Sequence, residues 1–184
     1  MEELTDLGFK LKFKDTFVFE SLYVALHDYF VQKGYADDDE DFGEKYYFMD
    51  VGENGKRDIK IWWRFDGHLG INDFFKYEIE LNFNCVQLGE GEIEKDGEVY
   101  DVDVGEIEIE LKSKLYMDAK DQWQKNFLTK FIYDRFWKRV YYKEQIGNMA
   151  GDFEEDMAKV KSMVKGFFGI GSPPPMVPVR GIGF

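Results

Sequence analysis

Two histidines, one cysteine and several rows of carboxylates are the side chains here with the chemistry for proton transfer, nucleophilic attack or metal binding. His27 stands beside Asp28, and His68 lies in Asp66-Gly67-His68-Leu69-Gly70. Neither adjoins a nucleophile motif, and no Gly-x-Ser-x-Gly occurs, so both read as helix-flank or surface residues. The acidic run Asp37–Asp41 invites a calcium reading. An EF-hand loop started at Asp37, however, places Phe42 where glycine is required and Phe48 where the bidentate glutamate is required. Glu78 and Glu80, with Glu106, Glu108 and Glu110, recur at every second residue. That is the period of a wet sheet face, and paired hydrolytic carboxylates need a cleft that separates their pKa values. Gly89-Glu90-Gly91 and Gly166-x-x-Gly169-x-Gly171 lack the strand-to-helix context of a phosphate loop. The expectation is a protein that is not an enzyme and holds no cofactor or metal.

The elements that must carry these residues follow from hydrophobic period. Phe9–Lys14 alternates apolar and basic residues as a half-buried strand does. Asp15 or Thr16 is expected to cap a helix whose apolar positions are Phe19, Leu22, Tyr23, Leu26 and Phe30, with Gly34 closing it. A strand at Lys45–Val51, the turn Glu53-Asn54-Gly55-Lys56 and a return strand Asp58–Phe65 form a hairpin. The next strand puts Phe75, Tyr77, Ile79, Leu81, Phe83 and Cys85 on one face. Gly89 and Gly91 are expected to interrupt it, and Lys95-Asp96-Gly97 turns into a further strand facing Ile107, Ile109, Leu111, Ser113, Leu115 and Met117 inward. From Gln122 to about Ile146 the spacing predicts a long helix with aromatics around most of its circumference. Gly147 and Gly151 then loosen the chain before an amphipathic segment Phe153–Phe168 and an irregular tail from Gly169 to Phe184.

Strands and helices do not alternate, which argues for an α+β fold rather than a doubly wound parallel sheet. The expected form is a curved antiparallel sheet of about five to six strands. The N-terminal helix and the long C-terminal helix pack on one face, with the C-terminal amphipathic helix and irregular tail beyond. The organisation expected is an α+β domain over 1–150, a helical extension over 151–168 and a Gly/Pro-rich apolar tail over 169–184. With 44% hydrophobic and 18% aromatic residues, the 184-residue chain has the material for a real core. Glu2, Glu3 and Asp6 are the wrong charge for a secretory signal, and the single Cys85 forms no intramolecular disulfide, so a cytoplasmic setting is expected.

The formal net charge is −13, and it is unevenly placed. From Ala158 onward there are no acids, while Lys159, Lys161, Lys165 and Arg180 contribute +4, so −13 minus +4 leaves −17 on residues 1–157. An acidic body of that kind repels phosphate backbones, which excludes nucleic acid as its partner. The stripe Phe153, Met157, Val160, Val164 and Phe167, with Phe168 beside it and lysines flanking it, packs on the chain's own sheet as amphipathic helices commonly do, or serves as a groove-binding or membrane-surface helix, with the protein partner favoured over the membrane. The apolar tail residues Met176, Val179 and Phe184 are costly to leave in water. Lys161-Ser162-Met163-Val164-Lys165-Gly166-Phe167-Phe168 resembles a sliding-clamp-binding peptide, with Lys161 where that motif carries glutamine.

The function expected is therefore a non-enzymatic protein-interaction or assembly module, engaging a protein partner or a second copy of itself through its aromatic C-terminal helix and its basic apolar tail. The alternative is a carrier of a small apolar ligand in a cavity between sheet and long helix, lined by Phe75, Tyr77, Phe83, Trp123 and Phe127. An enzyme with no recognisable motif comes behind both.

Overall fold

The computed structural model describes residues 2–37, 42–69, 74–95, 98–117 and 143–170. Among these residues the fold is α+β: a five-stranded open antiparallel sheet with two helices. The elements are β1 (Glu2–Phe17), α1 (Phe19–Gln32), β2 (Glu44–Val51), β3 (Arg57–Leu69), β4 (Phe75–Lys95), β5 (Glu98–Met117) and α2 (Lys143–Phe167). The strands lie in the order β1-β5-β4-β3-β2, so the meander β2 to β5 is completed by β1 returning against β5.

Register sorts the residues by face. Phe9, Leu11 and Phe13 of β1 lie opposite Leu111, Ile109 and Ile107, which lie opposite Leu81, Phe83 and Cys85, and Phe83 and Cys85 in turn lie opposite Ile61 and Ile59. This face meets the helices and forms the core with Leu22, Leu26 and Phe30 of α1 and Phe153, Met157, Val160 and Val164 of α2. Trp63 is fully buried at its centre, with the rings of Tyr23, Phe42 and Phe83 edge-on at 4.9, 4.8 and 5.0 Å.

Several local expectations are corrected. β1 runs well beyond Phe9–Lys14 because it has the whole of β5 to pair with, from Glu2↔Met117 to Phe17↔Asp103. Neither Asp15 nor Thr16 caps α1. Asp15 instead accepts from the Thr16 amide, and the first helical N–H, that of Phe19, donates to Asp103 of β5 at 3.0 Å. A carboxylate there satisfies an orphan donor and meets the positive end of the helix dipole. Gly34, at φ +75°, follows the helix C-terminus as expected of a glycine able to take that conformation.

Gly89 and Gly91 do not interrupt β4, which continues to Lys95 paired with β5. The irregularity is a bulge between Val86 and Gly89, where Gln87 takes φ 55° and its amide donates to Asp58 at 2.7 Å.

Gly147 and Gly151 do not break the chain either: α2 passes through both, and residue 150 falls inside a helix. Each glycine costs about 1 kcal/mol relative to alanine. Burial of Phe153, Met157, Val160 and Val164, at roughly 1.5–3 kcal/mol each, outweighs that. Of the helix expected over Gln122–Ile146, Lys143–Ile146 form the first turn of α2, and the rest lies outside the described residues.

Candidate functional site

β2 begins at a fixed point. Gly43 accepts from the Arg64 amide at 2.8 Å, and a side chain there would overlap the Arg64 carbonyl and the Phe65 ring. Glu44 then turns inward, where Oε2 accepts from the Tyr23 hydroxyl at 2.8 Å and from Trp63 Nε1 at 3.3 Å. Burial and this carboxylate push the Tyr23 pKa up, since both favour the neutral phenol.

The register shifts between Glu44 and Tyr46, and beyond it β2 is apolar on both faces. Tyr47, Met49 and Val51 share the core-facing side, opposite Ile61, Ile59 and Arg57. The rings of α1 pack on Trp63, Phe65 and Phe83 of the inner strands instead, and Tyr47 and Val51 remain 54% and 57% exposed. On the other side Tyr46 stacks on Trp62 at 4.4 Å, with Phe48 parallel to Tyr46 at 6.5 Å. Phe48 and Trp62 are 42% and 44% exposed. The Arg64 guanidinium lies 5.9 Å from the Trp62 ring and donates to Asn82 Oδ1 and the Trp63 carbonyl, both at 2.7 Å. The surface is thus an eight-residue edge strand, paired with β3 alone among the described residues, with large apolar side chains above and below it.

The residues singled out for chemistry are placed elsewhere and serve the fold. His27 Nδ1 lies 3.2 Å from Asp28 Oδ1, and its ring packs on Phe42. His68 is exposed on β3 opposite Lys76. Lys10 and Lys12 pair diagonally with Glu108 and Glu106 at 2.9 and 2.6 Å on the helix-free face. Lys76 and the Tyr116 hydroxyl hold the Glu78 pKa below its ordinary value. Asp156 of α2 accepts from Tyr29 and Tyr35 at 3.2 and 3.0 Å and pairs with Lys33, joining the two helices. Desolvation and this carboxylate raise the pKa of both phenols. Burial pushes the Cys85 thiol up to about 12, so it is a poor nucleophile at neutral pH. No metal-binding group of carboxylate, histidine and cysteine side chains occurs among the described residues. An open depression of about 710 Å³ lies between the start of α1 and the β4–β5 arm; Arg57 crosses it to Asp103 at 2.7 Å, beside Glu20, Glu90, Glu92 and Asp101.

Among the residues expected to meet a partner, Phe153, Met157, Val160, Val164 and Phe168 are buried against the protein's own sheet, with Phe168 stacked on Phe13 at 4.5 Å. Phe167 is partly buried against the same core. Val164 and Phe168, two positions that a sliding-clamp peptide presents, are therefore inside. Phe75, Tyr77 and Phe83, expected to line a ligand cavity, are buried in the packed core. Trp123, Phe127, Met176, Val179 and Phe184 lie outside the described residues. The residues sequence reasoning missed are Tyr46, Tyr47, Phe48, Met49, Val51 and Trp62. Their signal is an apolar run at both odd and even positions of a strand, where the alternation of the other strands would have put polar residues.

No protein-family model matches this sequence, and no curated protein matches it.

Proposed function

We propose that this chain is a non-enzymatic interaction module that adds an extended segment of another polypeptide to the open edge of β2. The observation that carries the reading is the coincidence of a strand edge that is unpaired among the described residues with exposed apolar side chains on both of its faces. Main-chain groups along such an edge supply affinity by strand addition, and alternate side-chain contacts supply specificity. Natural sheets blunt edges they do not use with charge, and β2 carries only Lys45 and Asp50 beyond its inward Glu44. α2 belongs to the scaffold in this reading: its apolar stripe is engaged by the sheet, and Lys159 and Lys161 are left on its exposed side. A cytoplasmic setting suits the buried thiol of Cys85.

The test is a photoreactive phenylalanine analogue placed at Tyr47, and separately at Lys12 on the opposite edge strand, in the full chain expressed in its host cells. Crosslinks to a discrete polypeptide from position 47 and none from position 12 are expected. Equal yields at both positions, or none at either, would remove the proposal.

A further inference from the structure

Resting on that reading, we infer that the polypeptide β2 receives is β2 of a second copy of this chain, paired antiparallel about a two-fold axis to make one continuous ten-stranded sheet. Three observations on the edge point to self-pairing. The first is charge. In a chain of net charge −13, the surroundings of β2 are close to neutral, with Lys45, Lys60 and Arg64 against Asp50 and Asp58. Two copies of an acidic chain therefore meet little repulsion along this edge.

The second is register. A two-fold axis perpendicular to a sheet places residues of equal parity opposite one another, because opposed side chains share a face. Centring the axis on Tyr47 would pair Val51 with Gly43, outside the strand, and Asp50 with Glu44 across the irregularity where Glu44 turns inward. Centring it on Phe48 avoids this and uses the whole strand. Phe48 meets Phe48 of the second copy, Tyr47 meets Met49, Tyr46 meets Asp50 and Lys45 meets Val51. In this register the sequence of β2 matches its own reverse, with aromatic or thioether contacts at the centre on both faces.

The third is area. Tyr46, Tyr47, Phe48, Met49, Val51 and Trp62 together expose roughly 600 Å² of side chain per copy, given full side-chain areas of about 150–250 Å². Twice that, with the newly paired backbone added, is the most that the pairing could bury, and it reaches the lower end of the range of about 1,200–2,000 Å² buried by stable specific interfaces. A lone extended peptide has no second aromatic row to set against Trp62 and Tyr46, whereas a second copy brings one.

Sedimentation velocity on the full chain tests this. At about 50 µM a species near twice 21.8 kDa is expected, and it should tighten as salt screens the repulsion between acidic bodies. Phe48→Lys and Phe48→Glu each place like charges across the axis and should weaken self-association at least ~100-fold, with thermal melting unchanged at dilutions where the full chain is monomeric, while an equimolar mixture of the two regains the double mass. A full chain that stays monomeric at ~200 µM, or a dimer that neither variant affects, overturns the inference. The two readings fail separately: a monomer whose position 47 still crosslinks to a different polypeptide loses the self-pairing and keeps the interaction edge.

Discussion

At one rim of the sheet, β1 alternates Lys10, Lys12 and Lys14 with Leu11 and Phe13; Lys10 and Lys12 pair with glutamates on the outer face, and α2 and the Phe168 that follows it lie against the inner face, with a Thr5–Glu154 contact. At the other rim, neither α1 nor α2 covers the core-facing row of β2 and its outer row carries few charges, and Tyr46 to Val51 are exposed. Both are edge strands of the same sheet, and both are rich in apolar residues. The difference between them is cover, which shows that an apolar edge is a packing element or an open surface according to what the rest of the chain lays across it.

The same type of residue should therefore have opposite worth at the two rims. Phe168→Ala, at the covered edge, removes a ring buried between Phe13 and Phe17 and should cost about 3–5 kcal/mol in urea unfolding. A loss below 1 kcal/mol would mean that α2 is not the cover described. Asp156→Ala should cost less, about 1–3 kcal/mol, because it leaves the Tyr35 hydroxyl without its acceptor and Tyr29 with only the backbone carbonyl of residue 156; stability to urea at pH 7 reads it.

Alkaline titration gives a smaller and graded effect on the covered side. Cys85 and the phenols of Tyr23, Tyr29 and Tyr35 have folded pKa values above their ordinary ones, so the unfolded state releases its protons first. Stability is then full below about pH 9 and falls as pH rises through 9 to 12, by up to ~1.4 kcal/mol per pH unit for each group that is ionised only when unfolded. Cys85→Ala should remove the earliest part of that decline, and an unchanged onset near pH 9 in chemical melts would count against the buried thiol as its source. Phe48→Lys, at the open rim, should change unfolding free energy by no more than about 0.5 kcal/mol. A larger loss would show that β2 is structural cover in its own right, and the comparison would collapse.

Much of this was legible in the sequence. Alternation places β3, β4 and β5, and the spacing of Leu22, Leu26 and Phe30 places α1, because burial on one face leaves a period that local reading detects. The cap of α1 was not legible, since Asp103 is distant in sequence and arrives only through the β1–β5 register. Nor was the continuity of α2 across Gly147 and Gly151, where tertiary packing overrides propensity. The exposed edge was the hardest. A run such as Tyr46-Tyr47-Phe48-Met49 has the composition of a strand buried on both faces, and only the positions of the two helices reveal that it is not.

The order β1-β5-β4-β3-β2 also sets a timetable. On a ribosome, β1 emerges before β2 to β5, yet among the described residues it pairs with β5 alone, so it must stay unmatched while three others emerge and zip together. At translation speeds of about 5–20 residues per second that vigil lasts on the order of 10 s. The lysines of β1 then matter in the nascent chain before they matter in the finished molecule, as the charges that keep a waiting strand soluble until its late mate arrives.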